Sequence, residues 1–221
     1  MDAVKRSSRY QKLSKEGLSE EQILERMEQK HSTELFTYDG METKNMSSID
    51  SIAHYLKFLN SGLLAVSPKD GAVQAWVGGV DFRFFKYDHV SQSKRQVGST
   101  FKPFVYTAAL ENGMDPCTYF SVREVTYDKG WTPSNSSSEG DDPNMNYNLK
   151  TALSKSMNTI AVKVLMETGI PNVIRQARDL GIESELPAVP SIALGTASLN
   201  LEEMTGAYSA YANDGYATKP F

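Results

Sequence analysis

The sequence is short of the residues that build disulfides and metal centres. It has one cysteine, Cys117, so no internal disulfide is available. Its three histidines, His31, His54 and His89, are scattered and form no group with zinc-ligand spacing. Neither a metal nor any other cofactor is expected. A basic block is also missing: 23 Lys and Arg stand against 27 Asp and Glu, for a net charge of −4. Nothing in such a chain tracks a phosphate backbone, and nucleic acid is not an expected partner. No apolar run approaches the roughly 18 residues that a membrane helix needs. The opening Met1-Asp2-Ala3-Val4-Lys5-Arg6 lacks the apolar centre of a secretory signal. What the chain does have is 221 residues with a 40% hydrophobic share, enough to bury a core in one large domain or two small ones.

Residues 1 to 47 are polar and uneven. Ser19-Glu20-Glu21-Gln22 has the pattern of a capping box, in which the serine accepts from the Gln22 backbone while the Gln22 side chain reaches back. It predicts a helix over about 20–30 with Ile23, Leu24 and Met27 on one face, then a strand over 33–38 and a turn at Asp39-Gly40. From Ser48, Ile49, Ile52, Ala53, Leu56 and Leu59 recur at helical spacing up to Gly62. Leu63 to Val66 and Ala72 to Val77 flank Pro68-Lys69-Asp70-Gly71 and predict a β-hairpin, with Gly supplying positive φ.

Further on, a helix is expected over 99–111, with Pro103 tolerated because it falls in the first turn. Residues 114 to 148 read as irregular, and Trp131 within them is expected to pack against the protein rather than touch a substrate. Helices are predicted again over 149–155, 159–168, 171–180 and 201–213.

Two places bear chemistry. Ser99-Thr100-Phe101-Lys102 puts a hydroxyl and an amine three residues apart at a helix start, on one face. That suits a nucleophile with its base, and the positive helix end disfavours a protonated lysine. The alternative is a capping serine beside a solvated lysine. Ser156-Met157-Asn158 sets a second hydroxyl and an amide at the break between two helices. There too the alternative is capping, with Ser156 or Asn158 starting the helix at Thr159.

Taken together, these segments resemble the class A penicillin-binding proteins, the bifunctional peptidoglycan synthases. Gln96-Val97-Gly98-Ser99-Thr100-Phe101-Lys102-Pro103-Phe104 looks like the active-site signature of that family. Ala75-Trp76-Val77-Gly78-Gly79, Trp131-Thr132-Pro133-Ser134-Asn135, Thr151 through Thr159, Ile192-Ala193-Leu194-Gly195 and Ala207 through Gly215 follow in the family's order. The resemblance runs from about Phe36 to Phe221. It implies that Ser99 is the acylated nucleophile and Lys102 the proton acceptor. It also implies that Ser156 relays protons near the leaving group, and that Asn158 holds the substrate's peptide carbonyl. Met157 stands where the pattern Ser-Asp-Asn has Asp, and no Lys-Ser/Thr-Gly triplet occurs in the chain.

The fold so implied is α+β, the serine β-lactamase and penicillin-binding-protein transpeptidase fold, with a helical cluster on an antiparallel sheet that is incomplete at the C-terminus. Residues 1–47 would be a connecting region and 48–221 the N-terminal part of the transpeptidase domain. The implied activity is a peptidoglycan D,D-transpeptidase acting through a serine acyl-enzyme. Its partners would be D-Ala-D-Ala stem peptides and β-lactams, and it would work on the outer side of the cytoplasmic membrane. Membrane contact would come only through an N-terminal anchor absent from this chain. With its third motif missing, the chain by itself is expected to be a weak catalyst. The alternatives are a β-lactamase or D,D-carboxypeptidase of the same superfamily, and a non-catalytic structural or interaction fragment.

Overall fold

The computed structural model of the chain describes residues 1–135 and 144–221. The chain forms two compact units, Met1–Asn60 with Arg83–Phe85, and Ser61–Phe82 with Lys86–Phe221.

In the first unit, α1 (Asp2–Arg6), α2 (Ser8–Lys15) and α3 (Glu20–Glu28) gather around Val4, Ile23 and Met27. The capping box at α3 is formed as expected: Gln22 N donates to Ser19 Oγ at 3.3 Å and Ser19 N to Gln22 Oε1 at 3.0 Å. The first two helices had no sequence expectation. They are short and polar, α2 buries none of its residues, and Ser7 joins them by capping α2 through Tyr10 N.

β1 (His31–Thr37) pairs antiparallel with β2 (Gly40–Met46) across the Asp39-Gly40 turn. β2 is almost wholly exposed, so it carries no apolar alternation by which it could be recognised. α4 (Ser48–Tyr55) starts from a second capping box, Ser47 with Asp50. It ends at Tyr55, short of the expected Leu59: Leu56 and Leu59 are 66% and 82% exposed and find no apolar surface. Beyond the helix Phe58 turns its ring onto Phe36, Tyr38 and Phe85, with centroids 4.9 to 5.5 Å apart. Ring packing here wins over helical continuation. α4 lies within the first unit, and the units divide after Asn60, whereas the sequence pattern favours a boundary at residue 48.

The second unit opens with the expected hairpin. β3 (Leu63–Val66) pairs with β4 (Val73–Val77), with a register irregularity at Ala65/Val66. In its turn Gly71 N donates to Ser67 O at 2.8 Å, and Gly71 has φ +85°. The other strands are pairs of two or three residues: β5 (Arg95–Gln96) with β8 (Ser198–Leu199), and β6 (Tyr119–Ser121) with β7 (Asn146–Asn148). No sequence pattern marks them, since each partner is too short to show a period and lies far away in the chain. β6 and β7 fall in the segment read as irregular, of which residues 136–143 lie outside the described residues.

The helices are α5 (Lys102–Glu111), α6 (Leu149–Ser154), α7 (Asn158–Thr168), α8 (Ile170–Asp179) and α9 (Leu201–Ser209). All five were expected, but α9 gives way to a 3-10 turn at Ala210–Ala212 instead of running to Asn213. α5, α7, α8 and the 3-10 turn Pro190–Leu194 pack together. Between them Phe101, Phe104, Val105, Ile160, Leu165 and Ile192 are fully buried, each contributing on the order of 1.5–3 kcal/mol by leaving water. α9 packs on β3, in an α+β arrangement. Trp131 packs against the helical core with its ring 5.9 Å from that of Tyr127, the structural role expected for it.

Candidate active site

Gly98–Phe101 forms a 3-10 turn that runs directly into α5. Pro103 is the second residue of α5, where a missing backbone donor costs nothing. The residues in capping positions are Val97 and Phe101, and neither side chain makes a capping bond. Ser99 is therefore not a capping serine. It is exposed, and its hydroxyl bonds to no other group among the described residues.

The turn is held from distant parts of the chain. Val97 N donates to Ala197 O at 3.2 Å, and Gly98 N to Gly195 O at 3.0 Å. Gly195 is left-handed at φ +73°, and a Cβ there would lie 1.9 Å from Gly98 O, so only glycine fits. From α9, the Tyr208 hydroxyl donates to Thr100 O at 2.6 Å.

Lys102, expected either as a base or as a solvated lysine, is fully buried. Its Nζ donates to Ser156 O at 2.5 Å, Ser156 Oγ at 3.0 Å and Asn158 Oδ1 at 2.7 Å. Burial lowers its pKa from 10.5 to about 8. The three acceptors are neutral and favour the ammonium, but they do not offset the lost hydration. About a tenth of the amine is then neutral at pH 7.

Ser156 and Asn158 are brought to that amine by the break between α6 and α7. α6 ends in a paired motif, with Ser156 N donating to Leu153 O at 2.9 Å and Met157 N to Ala152 O at 3.0 Å. This is the Schellman arrangement, whose left-handed position usually belongs to glycine. Here Ser156 holds it at φ +54°, a conformation that costs on the order of 1–3 kcal/mol for a residue with a side chain. Met157 then precedes α7 without a capping bond of its own, and Asn158 is the first helical residue. The capping alternative thus fails for Ser156 and Asn158 as it fails for Ser99.

The structure therefore brings together Lys102, Ser156 and Asn158. Ser99 stands one turn before Lys102, joined to it through the backbone (Lys102 N to Ser99 O), and takes no part in the side-chain cluster. The sequence pattern did not assign roles to Asn135 and Ser134. Asn135 Oδ1 accepts from Asn158 N at 2.8 Å and Thr159 N at 3.2 Å. Ser134 O accepts from Asn158 Nδ2 at 2.9 Å. Their only sequence signal was membership of the Trp131 to Asn135 segment.

Known proteins share this arrangement of segments. The family model "Penicillin-binding protein middle domain" matches residues 1–59, and "Penicillin binding protein transpeptidase domain" matches residues 62–221. Penicillin-binding protein 1A of Pseudomonas aeruginosa is 38% identical over 167 residues, covering 73% of this chain and 20% of the relative. Penicillin-binding protein 2D of Bacillus subtilis is 37% identical over 162 residues, covering 72% of this chain and 23% of the relative. The crystal structure of penicillin-binding protein 1A from Haemophilus influenzae superposes with a TM-score of 0.68 at 27% identity, over 87% of this chain and 27% of that one. The chain thus spans about a fifth of the length of the curated relatives it matches. None of these matches favours a β-lactamase, a carboxypeptidase or a non-catalytic fragment. A serine outside any cap, a buried lysine between two helix starts and a transpeptidase model covering both lead to one conclusion: the chain belongs to the penicillin-binding protein transpeptidase family.

Proposed function

We propose that this chain supplies the acylation centre of a peptidoglycan D,D-transpeptidase, with Ser99 as nucleophile. The observation that carries the reading is the Lys102 amine, desolvated and held by Ser156 and Asn158 one turn from an exposed and unengaged serine. In the first step Ser99 Oγ attacks the carbonyl of the penultimate D-Ala of a stem peptide, and its proton passes to neutral Lys102 Nζ. The Ser99 backbone N–H donates to no acceptor among the described residues and is available to the oxyanion.

Collapse of the tetrahedral intermediate breaks the bond to the terminal D-Ala. Its nitrogen leaves with a proton delivered from Lys102 through Ser156 Oγ, 3.0 Å away. Asn158 Nδ2 has one hydrogen on Ser134 O and a second to offer to the substrate's peptide carbonyl. An amine from a neighbouring stem then attacks the ester and gives a proton to neutral Lys102. The C–O bond to Ser99 breaks as Lys102 returns that proton to Ser99 Oγ, leaving the cross-link. β-Lactams would acylate the same serine, and the work would be done at the outer side of the cytoplasmic membrane. Residues 1–47, which lie within the first unit, would serve as the connecting region.

With a C-terminal segment fused to this chain to supply a Lys-Ser/Thr-Gly triplet, fluorescent penicillin should label Ser99, and Ser99→Ala should abolish the labelling. Acylation should accelerate about tenfold per pH unit below pH 8 and level off above it, because only neutral Lys102 accepts the proton and its pKa lies at about 8. Mass spectrometry that placed the adduct on another serine, or a rate independent of pH between 6 and 8, would refute the assignment.

A further inference from the structure

Asn158 owes its direction to groups outside the cluster it serves. α7 begins behind a methionine, yet its first two N–H groups are not orphaned, because both donate to Asn135 Oδ1 across more than twenty residues of chain. Asn135 Nδ2 lies 3.4 Å from Thr159 Oγ1, which sets the orientation of the capping amide. The neighbouring Ser134 O takes one hydrogen of Asn158 Nδ2. An amide has one donor end and one acceptor end. Binding Nδ2 on that side leaves Oδ1 facing Lys102 Nζ at 2.7 Å. Pro133, just before, is buried and anchors the segment.

An ordinary helix start would have met these donors with a serine or asparagine immediately before the helix. Here Met157 holds that place, and a start shifted by one residue to either side would have made Ser156 or Asn158 the cap and turned its hydroxyl or amide away from the lysine. Resting on the reading of the acylation centre above, we propose that Asn135 is a positioning residue for it. By capping α7 from a distant loop, it frees Ser156 and Asn158 to hold their side chains on Lys102.

The test reads Lys102 directly. In the 221-residue chain labelled with ¹³C at the lysine ε-carbons, the Lys102 resonance is the one lost in Lys102→Arg, and its titration is followed in each variant beside thermal melting. Nζ faces Ser156 O, Ser156 Oγ and Asn158 Oδ1 and forms no ion pair among the described residues. Losing the Asn158 acceptor destabilises the ammonium, so Asn135→Ala should lower the Lys102 midpoint by about half a pH unit or more. Asn135→Asp keeps the acceptor for both backbone donors and should leave the midpoint in place or raise it. Should the alanine variant fail to fold, Asn135→Ser, with a hydroxyl too short to span both donors, carries the same comparison.

Earlier melting in Asn135→Ala with an unchanged Lys102 midpoint would make Asn135 a structural cap only and overturn the proposal. A midpoint that moves as expected, in a protein whose Ser99 is never labelled by fluorescent penicillin, would instead support the positioning role and sink the acyl-transfer reading.

Discussion

The starts of α5 and α7 in the second unit are built by other means than the side-chain caps of the first unit, whose local kind recurs at α6 and α9, where Asn148 accepts from Thr151 N and Asn200 from Glu203 N. In the first unit each cap is local: Ser7 bonds Tyr10, Ser19 exchanges bonds with Gln22, and Ser47 with Asp50, always three residues on. In the second unit, α5 and α7 have no side-chain cap beside them. Their starts are fixed instead by Gly195 on Gly98, Tyr208 on Thr100 and Asn135 on Asn158. A local cap occupies a serine or asparagine in stabilising a helix. A remote one leaves the same residue types unoccupied at a helix N-terminus, where the field of the backbone favours developing negative charge. The cost is that each remote bond depends on the rest of the unit being folded.

The comparison breaks most severely at Gly195. Gly195→Ala puts a Cβ 1.9 Å from Gly98 O at a residue whose φ is +73°. Neither the clash nor the strained backbone can be relieved without moving the turn that carries Ser99. A loss of about 3 kcal/mol or more is expected in chemical denaturation, and the extended fusion should lose penicillin labelling. A variant of wild-type stability that still labels would show that the Gly98–Gly195 approach does not position the serine.

That difference also decides what could be read from the sequence. The capping box at Ser19, the hairpin around Gly71 and the five helices among the described residues of the second unit were visible because their apolar periodicity and turn residues lie close together in the chain. The pairing of Ser99 with Lys102 was visible for the same reason. What could not be read was which way the side chains face. Ser156 and Asn158 were as plausible as helix caps, and only the arrival of Asn135 at α7 shows that they are not. β5 with β8, and β6 with β7, escaped notice because two or three residues show no period and the partners are far apart. Leu56 and Leu59 misled in the opposite direction: their helical spacing is real, but no apolar surface meets them, and α4 ends at Tyr55.

A finer probe of the comparison is Ser156, where the backbone cost and the function of the hydroxyl can be separated. Ser156→Ala removes the hydroxyl and keeps a Cβ at φ +54°. Ser156→Gly removes the hydroxyl and relieves the strain. Both should acylate poorly, since both lose the group 3.0 Å from Lys102 Nζ. The glycine variant should be the more stable of the two by about 1 kcal/mol. Equal stability would mean that the left-handed turn is unstrained, and that serine at this position is not kept there against a conformational cost.

The smallest effect on acylation is expected at Ser19, where a helix start of the local kind can be damaged alone. Ser19 N and Oγ bond only to Gln22, and both residues are exposed. Ser19→Ala removes the side-chain acceptor for the Gln22 N–H while solvent remains free to replace it, so the loss is limited to about 1 kcal/mol. That loss should appear as faster amide hydrogen exchange across α3, around Ile23 and Met27, because α3 then opens more often. The starts of α5 and α7 draw their bonds from Asn135, Gly195 and Tyr208, none of which involves α3. Penicillin labelling of Ser99 in the extended fusion should therefore keep its wild-type rate and pH dependence. A labelling rate that fell in step with the exchange of α3 would tie the two kinds of helix start together and remove the distinction between them.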